Sequence, residues 1–359
     1  MTATGPCDTP DAGGTVDVVT LGESMVTFLP TTPGRLADVP SFDRAIGGAE
    51  SNVACTLAAA GHSARWVSRV GADGFGDHLV EAIGSYGVDV GAVHRDPRRP
   101  TGVYFRTAGD RATDAHEVAY YRAGSAASAM SVANTDLQAV RAGRVLHLSG
   151  ITAALSGDCL ELMRELTAPR PGRPLVSFDV NHRPGLWRGG AEARVLLELA
   201  RGADIVFVGA DEAHQAWGLH GARAIREELS EPATVVVKQG RGGAVAFDRN
   251  TENLMDATAA ATVVRALDVE VVATIGAGDA FAAGFLSATL RGLPVRDRLR
   301  HGHLMAAAAL TVPGDLAVPP DRARADRLAA LDDAAWETLR LGPGWTKAVD
   351  RGDEEGRTS

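Results

Sequence analysis

The sequence predicts an α/β protein: a parallel sheet core with helices on both faces and a small β-sheet lid. Three observations predict it. Short runs rich in Val, Ile and Leu recur along the chain, helix punctuation stands between them, and two stretches break that rhythm. Continuous apolar runs suit strands buried on both faces, and repeated β-α alternation implies parallel order.

The runs are VDVVTLG (16–22), ARWVSRVG (64–71), RVLHLSG (144–150), PLVSFDV (174–180), DIVFVG (204–209) and TVVVKQG (234–240). Between them, Ser51 or Asn52 is placed to cap a helix running through Ala60 and stopping at Gly61. Asp77 is placed to open another that stops at Gly87. Residues 24–46 and 100–123 lack helical periodicity and carry Thr, Val, Tyr and Phe between the turn sequences TTPG and TAGDRATD. These two pieces are expected to meet in space as the lid. Residues 1–15 and 342–359 read as disordered tails on a single domain, 16–341. The triplet Arg351-Gly352-Asp353 in the second tail resembles an adhesion motif only by chance.

Composition narrows the function classes. Of 359 residues 45% are apolar, enough for a core, yet no window approaches the length of uninterrupted apolar sequence a membrane span needs. The opening MTATGPCDTPDAGG lacks the basic start and apolar stretch of a secretory signal. Cys7, Cys55 and Cys159 are odd in number and widely spaced, which suits a reducing compartment, so a cytoplasmic location is expected. A formal charge of −9 argues against a nucleic-acid partner. Among 36 basic residues only Lys238 and Lys347 are lysine, so each arginine carries less information than usual.

The most informative segment is VVATIGAGDAFAAGFLSATL (271–290). Gly276, Ala277 and Gly278 precede Asp279, and an almost wholly apolar helix follows. Small residues let the backbone approach a ligand closely, and a helix start leaves N–H groups free to face an anion. A carboxylate beside such a cradle can deprotonate an attacking hydroxyl while the N–H groups absorb phosphoryl charge. An Asp capping a helix after a Gly-rich turn is the plainer alternative. The run TVVVKQG leads into Gly240 and Gly243, a turn that suits a nucleotide at the carboxyl edge of a sheet or is an ordinary β-turn. No P-loop or dinucleotide fingerprint occurs. His94-Arg95-Asp96 mimics a protein-kinase loop, but Thr101 takes the Asn place and no D-F-G follows.

The segment GGAESNVA (47–54), joined to SRVGADGFGD (68–77) and GAGDAFAAGF, closely resembles the PfkB (ribokinase-like) carbohydrate kinases over about residues 16–330. Within them it looks most like the 2-keto-3-deoxygluconate kinases. The shared stretches are TGVY (101–104), YYRAGSA (120–126), HLSGIT (147–152) and FDVNHRPGLW (178–187). The resemblance implies a ribokinase-like fold with ATP and Mg²⁺ as partners. It places the catalytic base on Asp279, with Gly276, Ala277 and Gly278 as the anion hole. Sugar contacts fall on Gly48, Asn52, Tyr104, Tyr120, Arg122 and Arg183. Nucleotide contacts fall on Lys238, Gly240, Gly243, Gly276 and Gly278, and Glu212 would orient Mg²⁺ through water. A homodimer through the lid is implied by analogy.

Strand alternation would put Tyr120 and Arg122 on one face, and Asp179, Asn181 and Arg183 on another. Two arginines at one pocket suit a substrate carboxylate. Some positions depart from the family pattern. Ala273 stands where an Asp helps hold a monovalent cation, so a requirement for that cation is not carried over. Gly209-Ala210-Asp211-Glu212 keeps the acid of N-x-x-E and loses the amide, while His182 and His303 replace the usual Tyr and Asn. The expected function is ATP-dependent phosphorylation of a primary hydroxyl of 2-dehydro-3-deoxygluconate, giving the 6-phosphate. A fructokinase or ribokinase type of sugar kinase, or a non-catalytic sugar or nucleotide sensor, stays open beside it.

Overall fold

The computed structural model describes residues 15–107, 117–187, 190–249 and 261–347. The expected N-terminal tail up to residue 14 and Arg351-Gly352-Asp353 lie outside them. In chain order the strands begin with β1 (Val16–Leu21), β2 (Met25–Pro30), β3 (Phe42–Gly47), β4 (Ala64–Gly71) and β5 (Val93–Asp96). Next come β6 (Val103–Arg106), β7 (Val118–Tyr121), β8 (Gly143–Ser149), β9 (Leu175–Asp179) and β10 (Ile205–Gly209). They are followed by β11 (Thr234–Lys238), β12 (Ala244–Asp248) and β13 (Ala261–Val264).

The core sheet has nine strands in the order β13-β12-β11-β10-β9-β8-β1-β4-β5. All neighbours from β11 to β5 run parallel, as the apolar runs predict. The far edge departs from that expectation, because β12 is antiparallel to both β11 and β13. A turn as short as Gln239–Gly243 can return the chain only antiparallel; a parallel return needs a long crossover. Strand order reverses beside β1, which pairs with β4 on one side and β8 on the other. In open α/β sheets the crevice at the carboxyl ends of such strands is where ligands bind.

Apolar layers cover both faces. Leu148, Phe178, Val208 and Val237 pack into one layer; Val145, Phe207 and Val236 pack into the other with Phe281 and Phe285. Phe285 meets Phe207 edge-on with ring centroids 5.3 Å apart. That contact fastens the helix Ala277–Leu290 to the sheet. On its other side Gly284 admits the His301 carbonyl, which would lie 2.3 Å from an added Cβ, so the helix Val295–Leu310 packs close against it.

The expected lid exists as a separate four-stranded sheet, β3-β2-β6-β7, built from both predicted pieces. Its segment 108–116 lies outside the described residues. Two predicted helix starts need correction. The first helix is Ala49–Ala59 with Gly48 at its N-cap, so Ser51 and Asn52 lie inside it. Gly48 takes that place because an added Cβ would meet the Glu23 carbonyl at 2.5 Å. The second helix is Gly74–Ser85, and Asp73, not Asp77, caps it by accepting from the Phe75 and Gly76 N–H groups. The expected tail from residue 342 also starts too early. Trp345 is buried, and Arg340–Leu341 pairs with Asp268–Val269.

Asp73 does more than cap. Its carboxylate also accepts the Thr101 N–H and hydroxyl, each at 2.9 Å, tying the end of β4 to the chain that enters β6. Asp73→Ala removes the cap and both Thr101 bonds. It should lower the urea midpoint by the equivalent of about 2 kcal/mol with an unchanged m-value.

Candidate active site

The parallel strands deliver their polar residues to one edge. Gly22-Glu23 follows β1, Ser149 and Asp179 close β8 and β9, Glu212 lies just past β10, and Lys238 ends β11. Facing this edge is the turn that opens the helix Ala277–Leu290, with Gly276 as its N-cap at φ 75°. That left-handed conformation is open to glycine at little cost, and the Asp315 carbonyl would lie 2.2 Å from a Cβ at Gly276. Only glycine fits there. The helix is capped by no side chain, so its first N–H groups keep their capacity for an external acceptor.

Asp279 sits in the first turn and accepts a hydrogen bond from the Asn52 amide at 2.8 Å. Its carboxyl pKa is pushed up to about 7, chiefly by desolvation and further by the nearby Asp179, against the stabilising Asn52 bond and the charges of Arg183 and Lys238. Lys238 lies between these acids. Its ammonium donates to both Asp179 oxygens, at 2.8 and 3.1 Å, and stands 3.7 Å from the position a Cβ on Gly278 would take. Burial works against its charge, but Asp179 and Glu212 outweigh that and hold its pKa above the ordinary value. A fixed cation thus stands beside the N-terminal turn, where anion binding is favoured.

The predicted residues fall into two groups. Asp279, Asn52, Lys238, Glu212, Arg183 and the 276–278 turn form one electrostatic cluster. Arg183 reaches it by a route the sequence did not suggest. β9 ends at Asp179 and Asn181 has φ 42°, so the strand alternation expected for 179, 181 and 183 does not continue. The Arg183 guanidinium nonetheless comes 3.8 Å from Glu212, half-exposed.

The second group lies on the lid. Tyr104, Tyr120 and Arg122 share one face: the two rings are 5.4 Å apart, and the guanidinium lies 5.8 Å from the Tyr120 ring centre. Tyr121 packs on the opposite side against Phe105. The Tyr104 hydroxyl donates to Asp315 at 3.2 Å, and Arg106 reaches the same carboxylate at 2.7 Å. Asp315 therefore joins the lid to the glycine turn, a role with no signal in the sequence. Arg122 is likewise not free, since it forms an ion pair with the buried Glu23. Glu50, fully buried, accepts from the Ser149 and Thr152 hydroxyls at 2.8 Å each.

Four further positions have local explanations. Gly243 is required because a Cβ would lie 2.1 Å from the Val264 carbonyl, whereas Gly240 has open space around it and φ 55°. His303 packs edge-on to Phe281 in apolar surroundings, and burial pulls its pKa down to about 4. His182 is buried, with its pKa lowered by the same cause.

For Mg²⁺, no group of three or more acidic, His or Cys residues able to hold a metal occurs among the described residues. Glu212 gives Oε2 to its own helix start, accepting the Gly209 N–H at 3.1 Å, while its Oε1 faces the Arg183 guanidinium at 3.8 Å. That donor set fits an ion carried chiefly by phosphate oxygens and water, as Mg²⁺ commonly is.

Fold and site together define a phosphotransferase of the α/β class. The chain belongs to the pfkB family of carbohydrate kinases, whose sequence profile matches residues 16–322. It is thus an ATP-dependent carbohydrate kinase. It is 33% identical over 312 residues to the 2-dehydro-3-deoxygluconokinase of Bacillus subtilis (strain 168), covering 86% of this chain and 93% of that protein. It is 31% identical over 280 residues to fructokinase-1 of Oryza sativa subsp. japonica, covering 77% and 83%. A crystal structure of a PfkB protein from Polaromonas sp. JS666 superposes with a TM-score of 0.75 at 33% identity, covering 87% and 99%. No helix among the described residues is long and apolar enough to cross a membrane.

Asn52→Leu removes the bond that stabilises the charged form of Asp279. The Asp279 pKa should then move above its value of about 7, read from a carboxyl-carbon NMR titration.

Proposed function

We propose that this chain transfers the γ-phosphoryl group of ATP to a primary hydroxyl of 2-dehydro-3-deoxygluconate, giving the 6-phosphate. The observation that carries the chemistry is Asp279, a carboxylate poised near neutrality in the first turn of a buried apolar helix. A base with its pKa close to the working pH is ionised enough to act and basic enough to take a proton. Asp279 accepts the proton of the sugar hydroxyl as its oxygen attacks phosphorus. The bond to the β-phosphate oxygen breaks, and ADP leaves with the electron pair. N–H groups of the 276–279 turn and the Lys238 ammonium face the charge on the transferring group. Mg²⁺ bound to the nucleotide would neutralise phosphate charge, with Glu212 the residue to orient it.

The acid character of the substrate rests on two arginines. Arg183 reaches Asp279 electrostatically, and Arg122 stands on the lid face with Tyr104 and Tyr120. A guanidinium can grip a carboxylate through two parallel bonds. Two relatives named for this substrate and its galacto counterpart are similar over more than four fifths of the chain. One observation favours a second reading, phosphorylation of a neutral sugar such as fructose. Arg122 is already paired with Glu23, so the pocket carries less positive charge than two free arginines would. ADP release with 2-dehydro-3-deoxygluconate, its galacto epimer, fructose and ribose separates the readings, and the acid is expected to give the largest kcat/KM. The lid sheet is the proposed contact for a homodimer.

Asp279→Asn should lower kcat by roughly a thousandfold while nucleotide binding persists, measured by ADP release and by titration with ATP. Near-normal turnover would remove Asp279 as the base. In the unaltered enzyme only the ionised carboxylate can accept the proton, so kcat/KM for the sugar should rise with pH. The inflection should lie near the Asp279 pKa of about 7, with the acid limb lost below it.

A further inference from the structure

The lid arginine meets a carboxylate before any substrate arrives. Glu23 follows β1 at the point where the chain leaves the core sheet for the lid, and only 2% of its surface is exposed. Its Oε1 accepts the Ser125 hydroxyl at 2.5 Å, while its Oε2 pairs with the Arg122 guanidinium. Gly102 permits this closeness: an added Cβ there would lie 3.0 Å from Glu23 Oε1 and 3.5 Å from the Arg122 Cβ. The Arg122 side chain keeps 12% of its surface exposed, and its charge also reaches the fully buried Glu50. Two buried carboxyl groups therefore stand behind one guanidinium.

We propose that Glu23 is a positioning residue that sets the charge preference of the substrate pocket, holding Arg122 in place while offsetting its positive charge. A substrate carboxylate shares the guanidinium with Glu23, which several N–H donors allow, and repulsion between the two acids weakens its grip. A neutral sugar end escapes that repulsion. The pocket thus binds an acid with restrained affinity and discriminates weakly against neutral sugars. This rests on the reading of Arg122 as a contact for the acid end of the substrate.

Glu23→Gln tests it, because the amide oxygen can still accept from Arg122 and the amide NH2 can donate to the Ser125 hydroxyl oxygen, while the charge is gone. With 2-dehydro-3-deoxygluconate as substrate and its carboxamide as the neutral isostere, the variant should lower KM for the acid about fivefold. The inhibition constant of the amide should stay put, and kcat should move less than KM. A purely structural role would shift both ligands together, and that result, or a raised KM for the acid, overturns the proposal. If Glu23→Gln fails to fold, Ser125→Ala carries the test. It frees Oε1 to bind Arg122 through both oxygens, so KM for the acid should rise about threefold with the amide unaffected. Equal changes for both ligands again overturn it. If the unaltered enzyme turns over fructose and not the acid, the substrate reading alone falls. Glu23 is then judged by the acid as an inhibitor of fructose phosphorylation, where Glu23→Gln should tighten inhibition about fivefold and an unchanged constant refutes it.

Discussion

Everything at the site depends on how firmly the helix Ala277–Leu290 is held. Nine of its residues, from Ala280 to Ala288, are buried, so nearly the whole body of the helix is core rather than surface. Burying a Phe side chain contributes about 1.5–3 kcal/mol, and two of them, Phe281 and Phe285, lock the helix against Phe207. A helix anchored this way cannot swing, so the N–H groups of its first turn and the Asp279 carboxylate keep a fixed direction. Desolvation of the Asp279 carboxyl at the head of this packed helix raises its pKa to about 7. One packing arrangement supplies both rigidity and basicity.

The charges around the turn are balanced rather than merely collected. Lys238 joins Asp179, and Arg183 approaches Glu212. Asp279 receives only a neutral amide from Asn52. An ion pair made directly to Asp279 would have held its pKa low and left it a poor base. Lys238 lowers the Asp279 pKa only through its charge, because the two hydrogen bonds it makes go to Asp179. The lid is tied in by a separate contact. Tyr104 and Arg106 both reach Asp315, whose own carbonyl packs against Gly276, so lid position and the shape of the glycine turn are mechanically joined.

The lid shows how one side chain reads differently once its neighbours are known. Tyr120 and Arg122 do share a face, because the alternation of β7 carries on one residue past its end at Tyr121. That Arg122 arrives already paired with Glu23 does not follow from that alternation. The two residues are far apart in the chain, and an ion pair between them exists only because the lid folds back over the end of β1.

The sequence by itself determined the parallel core, the two-piece lid and the glycine turn before Asp279, because each is written in local periodicity or in residues whose backbone freedom is distinctive. Six apolar runs mark six core strands, and small residues followed by an unbroken apolar helix mark the turn. Tertiary structure alone decided which side chains oppose one another. Asn52 reads locally as a helix cap yet lies within its helix and reaches Asp279 across 227 positions, and Asp315 has no motif at all yet receives two lid side chains. The helix start at Gly48 and the cap at Asp73 were likewise settled by contacts with Glu23 and Thr101. Local pattern fixes where backbone hydrogen bonds go, whereas charge pairing and pKa depend on distances that exist only after the chain has closed on itself.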